Sequence, residues 1–447
     1  MSEKFLLVKG YYDSGLWTIT RVQYAVYMGW ITEAEFVTIT GEPYTPPPAP
    51  PSPTPVVAEE NDVMFIDYDG TIVYSYTAQE FLALTEMPAN PTHEGLTSQG
   101  WNWSLTDAQD YVEDYGKLVI GQMYITDDGK TRIHIKLEEG RLSPRLCLYI
   151  NGTVDVDWGD ETEHTTMTGS SLNTLQATIH EYAAPGNYVI ALSVTTGTFT
   201  FKNAESNGTG IISKYTTQSG AEYRRGYTNT IQSINIGSGI TSISAYAFAY
   251  QFSLSSVTIP NSITSMGNNV FSLCYSLSSV TIPNSITSIG DSVFYSCYSL
   301  SSVSISREVT SIGSGAFYYC YSLSLVTIPN QVTSITSQMC YYAMKLLYLI
   351  IPNSITTLSS CFYNNSCLVS ITFPESITSI PTLFLNSACQ GLSSVKFKST
   401  TPPILAASSS LGTLPTDCII YVPQGSLSDY TSATNYPSSS TYTYVEY

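Results

Sequence analysis

The stretch Leu277-Ser278-Ser279-Val280-Thr281-Ile282-Pro283-Asn284-Ser285-Ile286-Thr287-Ser288-Ile289 returns with little change throughout the second half of the chain. A fixed period of that kind limits the fold more than any other feature. Its valine-like position falls at Ile234, Val257, Val280, Val303, Val326, Leu349, Ile371 and Val395, in steps of 23, 23, 23, 23, 23, 22 and 24 residues. Two residues on runs a second ladder, Ile236, Ile259, Ile282, Ile305, Ile328, Ile351, Phe373 and Phe397. Alternation of the Val-Thr-Ile type turns two apolar side chains inward and one hydroxyl outward, as a short strand does. Pro260, Pro283, Pro329, Pro352 and Pro374 end these strands, because proline cannot donate to a ladder. A second apolar pair follows, such as Ile286 with Ile289. Phe294, Cys297 and Leu300 then fall three apart, which places them on one face of an expected helical turn. A single unit cannot bury its own apolar face, whereas stacked neighbours share a continuous core. Residues 231–400 are therefore expected to form a solenoid.

Of 447 residues, 43% are hydrophobic and only 12% charged, with a net charge of −18. So many apolar residues exclude a highly charged disordered chain. The acidic balance excludes a nucleic-acid binder and a binder of anionic membranes. No apolar run approaches the roughly 18 to 20 residues of a membrane span. The opening residues carry too short an apolar stretch for a secretory leader, so production and assembly in the cytoplasm are expected. Charge is concentrated in the front half. Residues 231–400 hold only Asp291, Glu308 and Glu375 against Arg307, Lys345, Lys396 and Lys398.

The repeats resemble the BspA-like (treponemal) class of leucine-rich repeats, found on bacterial surface proteins and in some phage proteins. After them, Thr400-Thr401-Pro402-Pro403 and Ile420-Tyr421-Val422-Pro423-Gln424-Gly425-Ser426 look like the closing segment of such arrays, so 401–447 is expected to cap the last coil. At the other end come Gly15-Leu16-Trp17, then Gly29 with Ile31-Thr32, then Ile39-Thr40-Gly41. Two short helices are expected there, the first stopping at Gly29 and the second capped by Thr32. The pattern over 1–42 resembles the XkdX family of phage-tail proteins. That resemblance implies a virion-docking unit, with Tyr11, Tyr12, Leu16, Trp17, Trp30 and Phe36 as candidate docking residues.

Between the two ends the chain reads as modular. Residues 43–60 begin with a polyproline run that forms an extended linker. Residues 61–140 mix strands and helices, with turns at Asp69-Gly70 and Asp128-Gly129. Their His93-Glu94-Gly95-Leu96 and Trp101-Asn102-Trp103 look like a module of phage structural proteins. In 141–200, Trp158-Gly159-Asp160 and His180-Glu181-Tyr182 resemble a polycystic-kidney-disease-like (PKD-like) β-sandwich, a fold that implies a spacer or a carbohydrate-associated module. Residues 201–230 are a Gly/Ser/Thr-rich connector. The expected fold class is thus mainly β with short helices and several domains: a C-terminal leucine-rich-repeat solenoid preceded by a β-sandwich and a small α+β module.

Little here suggests catalysis. Asp67-Tyr68-Asp69-Gly70-Thr71 fits the nucleophile motif of haloacid-dehalogenase-type phosphatases, and Asp127-Asp128 could supply its magnesium pair. The surrounding segment is too short for a doubly wound sheet, and Asp69-Gly70 is better explained as a hairpin turn. His93, His134, His164 and His180 lack ligand spacing, so no metal, cofactor or enzymatic activity is expected. Cys274, Cys297 and Cys320 repeat at the coil period, and free thiols are expected over staples. Two outward rows remain as candidate ligand contacts: the hydroxyls Thr258, Thr281, Ser304 and Thr327, and the aromatics Phe252, Tyr275, Tyr298 and Tyr321. Stacked rings and hydroxyls with little charge suit a glycan.

The expected function is a phage virion protein, a tail fibre or tail-associated protein. It would meet other virion proteins through its N-terminal unit and a host-surface glycan or protein through its solenoid. Alternatives are a purely structural fibre or head decoration protein, and a bacterial surface adhesin. A homo-oligomer is compatible with the sequence, although no heptad repeat specifies one.

Overall fold

The computed structural model describes residues 31–44, 62–201, 230–385 and 389–447, the backbone of 212–214, and Phe5, Lys9, Tyr12, Val22 and Val26. The chain divides into two compact units, Met1–Ala58 and Glu59–Tyr447.

In the first unit, helix α1 (Glu33–Thr40) begins where its sequence dictates. The Thr32 hydroxyl accepts from the Glu35 N–H, the Glu35 carboxylate accepts from the Thr32 N–H at 2.8 Å, and Gly41 ends the helix at φ 75°. The helix buries Phe36 and Ile39 against Phe5, Val22 and Ile31. Phe36 is fully buried, which corrects its place among docking residues: it holds the unit together. Tyr12 packs half-buried on the same cluster. Tyr11, Leu16, Trp17 and Trp30 lie outside the described residues, as do Gly29 and the polyproline run.

The second unit is built on the expected solenoid. Short parallel strands pair in the register of the sequence ladder: Val280 with Val303, Val303 with Val326, Val326 with Leu349, Leu349 with Ile371, and Ile371 with Val395. Beyond Val395 the sheet goes on, Val395 pairing Ile420 and Ile420 pairing Tyr444. Residues 401–447 therefore lengthen the ladder by two strands in addition to closing it. Inside, Phe248, Phe271, Phe294 and Phe317 stack at 5.5, 5.7 and 5.6 Å between ring centres. None of the nine cysteines forms a disulfide, and Cys297 Sγ lies 3.1 Å from the carbonyl of Phe271, 26 residues or about one coil earlier. Burial pushes that thiol well above its ordinary pKa.

The expected helical turn does not form. Phe294, Cys297 and Leu300 do share the inner face, but the backbone N–H groups alternate in direction. Ser292, Phe294 and Ser296 donate to the next coil (Ser314, Ala316 and Tyr318), whereas Tyr295 and Cys297 donate three residues back. Carbonyls of the neighbouring coil outcompete the i−4 carbonyl. Alternation also puts non-glycine residues in the left-handed region once or twice per coil, among them Ser292 (54°), Ser296 (58°), Tyr319 (61°) and Tyr342 (61°).

The α+β module contains strands β1 (Val63–Ile66), β2 (Ile72–Tyr76), β3 (Leu96–Trp101) and β4 (Leu118–Thr126), in the order β2-β1-β4-β3. Helices α2 (Ala78–Leu82) and α3 (Leu105–Tyr115) join them around Phe65, Phe81, Trp101, Tyr111 and Ile120. Asp67–Thr71 is the expected turn, closed by the Asp67 N–H on the Thr71 carbonyl with Gly70 at φ 90°.

The next strands correct two boundaries. Strands β5 (Thr131–Leu137), β6 (Pro144–Asp157), β7 (Thr165–Ile179), β8 (Gly186–Thr200) and β10 (Ile231–Asn235) form one sheet, in which β5 lies between β8 and β10. The short β9 (Ile212–Lys214) pairs with β6. The breaks expected at 140/141 and 230/231 are thus crossed by hydrogen-bonded ladders. Ile133 and Ile135 also share a core with Ile231 and Ile234, so this region is fused to the solenoid and is not a free-standing sandwich.

The turn after β6 keeps its sequence signature. Trp158 stacks on His180 at 4.7 Å, the Tyr182 hydroxyl donates to the Trp158 carbonyl at 2.9 Å, and His180 Nε2 sits 2.7 Å from Asp160. Burial pushes the Asp160 carboxyl up, but the hydrogen bonds from His180 and Thr162 outweigh it and leave the group below its ordinary 3.8. A carboxylate depressed in the folded state adds stability above pH 3.8, which is lost as pH falls through the folded value. Asp160→Asn is expected to flatten the fall in melting temperature below about pH 4; an unchanged acid limb in calorimetry would contradict this.

Candidate functional site

The parallel sheet is the face that solenoids commonly offer to partners. Here the chain covers the strands from Ser256–Thr258 to Leu325–Val326 with its own α+β module, whereas the later outward residues Thr372, Lys396 and Tyr421 stay half-exposed. Strand β4 crosses the hydroxyl row so closely that a Cβ on Gly121 would lie 2.2 Å from Thr281 Oγ1 and 2.8 Å from Ser304 Cβ. Fully buried Asn102 ties the layers together. Its Oδ1 accepts from the Gly121 N–H at 2.8 Å and lies 3.0 Å from Ser304 Oγ, and its Nδ2 donates to the Ile282 carbonyl at 3.2 Å. Trp103 Nε1 donates to the Ile305 carbonyl at 3.1 Å, and the Tyr111 hydroxyl to the Ile328 carbonyl at 3.0 Å. Further along, the Val119 N–H reaches Thr327 Oγ1 at 3.4 Å, and Ile66 and Val119 pack on Leu325.

Thr258, Thr281, Ser304 and Thr327 are consequently all buried. Their reading as ligand contacts is corrected: they form an internal seam. Among the described residues, the hydroxyls of Thr258 and Thr281 have no hydrogen-bond partner. Thr281→Val is accordingly expected to leave stability unchanged or raise it by up to about 1 kcal/mol, since it removes an unpaired buried oxygen. A loss of similar size in urea denaturation would instead show that the hydroxyl is satisfied.

The aromatic row lies on the turn side. Phe252, Tyr275, Tyr298 and Tyr321 stack at 4.6, 4.6 and 4.9 Å with interplanar angles of 14°, 16° and 28°. Their faces are covered by one another, and Tyr275 is buried, so the row packs the coil edges more than it faces outward. Next to this row lies a broader belt that sequence reasoning passed over. Tyr295, Tyr318, Tyr341 and Tyr363 follow each other at 5.4, 5.6 and 5.4 Å, and Tyr319 and Tyr342 run alongside at 4.8 Å. All six are half-buried. Burial raises the phenol pKa of Tyr295, Tyr341 and Tyr342, so the belt presents neutral O–H groups. Tyr295, Tyr318 and Tyr341 recur at the repeat period, a signal available in the sequence.

The carboxylates of the phosphatase-like motif are engaged otherwise. Asp67 is 4% exposed and lies 2.6 Å from His93 Nε2; Asp127 accepts from Thr97 Oγ1 at 2.5 Å, and Asp128 pairs with Arg132 at 2.8 Å. Among the described residues, no group of three His, Cys, Asp or Glu side chains could hold a metal ion.

Residues 222–342 and 288–407 match the BspA type leucine rich repeat region, with six copies. The repeats are BspA-like leucine-rich repeats. Residues 5–44 match a second family, Phage_XkdX, described as a phage uncharacterised protein. Solved structures similar to the BspA-type array include the pneumococcal vaccine antigen PcpA (16% identity, TM-score 0.36, 47% of this chain and 66% of that one). A leucine rich cell surface protein of Faecalibacterium prausnitzii A2-165 is 25% identical, with a TM-score of 0.29 over 37% of this chain and 59% of that one. A leucine-rich repeat protein of Bacteroides ovatus ATCC 8483 is 23% identical, with a TM-score of 0.33 over 42% and 55%. The chain thus spans 55% to 66% of the length of these three. No curated protein matches it.

Proposed function

We propose that the chain is a non-enzymatic phage virion protein, a tail fibre or tail-associated protein, whose BspA-type array touches the host cell surface. The observation that carries this reading is the tyrosine belt. The chain's own module covers the sheet over the coils from Thr258 to Leu325, and the belt from Tyr295 to Tyr363 lies on the turn side as a broad, weakly charged row of half-buried rings. Neutral hydroxyls and ring edges suit a glycan or a polar protein surface, and many weak contacts multiply with copies on a particle. The Phage_XkdX match over residues 5–44 supports a virion setting and an N-terminal unit that meets other virion proteins. The net charge of −18 argues against nucleic-acid partners, and no helix among the described residues is long and apolar enough to cross a membrane.

Immunogold electron microscopy with antibody against the array tests this reading on purified phage and on host cells. Gold at the tail is the expected result. Gold confined to the head, or to the surface of uninfected bacteria as for an adhesin, would overturn it.

A further inference from the structure

A cleft of about 240 Å³ opens where α3 meets two successive coils of the solenoid, lined by Trp103, Asp107, Asp110, Arg307, Asn330 and Gln331. We propose that this cleft is a binding site for one neutral monosaccharide unit of a glycan.

The chemistry of the lining leads to that ligand class. Trp103 is buried, and its only N–H is taken by the Ile305 carbonyl, so what it offers the cleft is apolar ring surface. Arg307 is fixed by ion pairs with Asp107 and with Glu308, the latter at 3.2 Å. By contrast, Asp110, Asn330 and Gln331 are exposed, and their side chains make no hydrogen bond among the described residues. The cleft thus joins an apolar wall to unengaged carboxylate and amide groups, which pair donors and acceptors with the vicinal hydroxyls of a sugar ring while the wall meets its C–H face. Its volume lies below the roughly 300 Å³ at which pockets for drug-sized ligands begin, which suits one ring. Asp107 and Asp110 outnumber Arg307, and the chain as a whole is acidic, so an anionic sugar is disfavoured. The guanidinium in the lining disfavours a metal ion.

Binding in this cleft needs neither a virion nor the tyrosine belt. Two parts of the chain, distant in sequence, each supply half of the lining: Trp103, Asp107 and Asp110 come from the module, and Arg307, Asn330 and Gln331 from the coils.

The test is saturation-transfer NMR on the full chain with glucose, galactose, mannose, rhamnose, N-acetylglucosamine and N-acetylgalactosamine, each at about 10 mM, because single sugars bind weakly. Transfer to at least one of them is expected. Asn330→Ala/Gln331→Ala should weaken it by about fivefold or more, the effect of losing one or two hydrogen bonds, with melting temperature unchanged because both residues are exposed. Tyr318→Ala/Tyr341→Ala should leave it intact. No transfer to any of the six sugars, transfer that survives the cleft substitutions, or stronger transfer to N-acetylneuraminic acid would overturn the assignment. Tail labelling reports on the proposed function separately.

Discussion

Replacing Phe294 by alanine is expected to lower the unfolding free energy by about 3 to 5 kcal/mol, the range for emptying a large aromatic site in a packed core. Its ring lies between Phe271 at 5.7 Å and Phe317 at 5.6 Å and is fully buried. The cavity would sit in the middle of the spine, so two stacking contacts go at once. In a solenoid each coil is held mainly by its neighbours, and a weak central coil uncouples the ends. Urea denaturation should show a lower midpoint and a transition that broadens or splits. Tyr298→Ala, one turn further toward solvent and half-buried, should cost clearly less. A Phe294→Ala loss below about 1 kcal/mol would mean that the phenylalanines do not form one continuous core.

Gly121→Val is expected to have the second large effect, about 3 kcal/mol or more, through overpacking. The site has no room: the added Cβ meets Thr281 Oγ1 at 2.2 Å, Thr281 Cγ2 at 2.7 Å and Ser304 Cβ at 2.8 Å. Neither β4 nor the coil can give way without breaking the Asn102 bridge, which holds the Gly121 N–H at 2.8 Å. The module should lift, and proteolysis should release it from the array. Thr281→Ala in the same chain should recover part of the loss, since it removes the two closest atoms. Independent effects of the two substitutions, with no coupling, would show that the module does not rest on the sheet as described.

The solenoid was legible residue by residue because its signal is periodic. Ile234, Val257, Val303 and Val326 stand in register as their spacing requires, and Thr32 and Gly41 bound α1 as their chemistry requires. Hidden from a linear reading was the partner of the sheet face. Asn102 and Ser304 are 202 positions apart, and nothing local in Trp101-Asn102-Trp103 says that it faces a distant coil. Outward-pointing hydroxyls look alike in sequence whether water or a glycine-backed strand covers them. The turn side was misread for another reason. Spacing of three places Phe294 and Cys297 on one face in a helix and in alternating turns alike, so side-chain pattern alone does not reveal the left-handed residues at 292 and 296.

Co-sedimentation of the full chain with bacterial cell walls tests most directly the proposal that the turn side, and not the sheet face, meets a host surface. The wild-type chain and Thr281→Val should sediment equally, because Thr281 lies in the internal seam. Tyr318→Ala/Tyr341→Ala should lose about tenfold or more in binding, as expected for aromatic anchors at the centre of a contact surface. Full binding by the tyrosine variant, together with loss on Thr281→Val, would contradict the assignment of the belt as the contact surface.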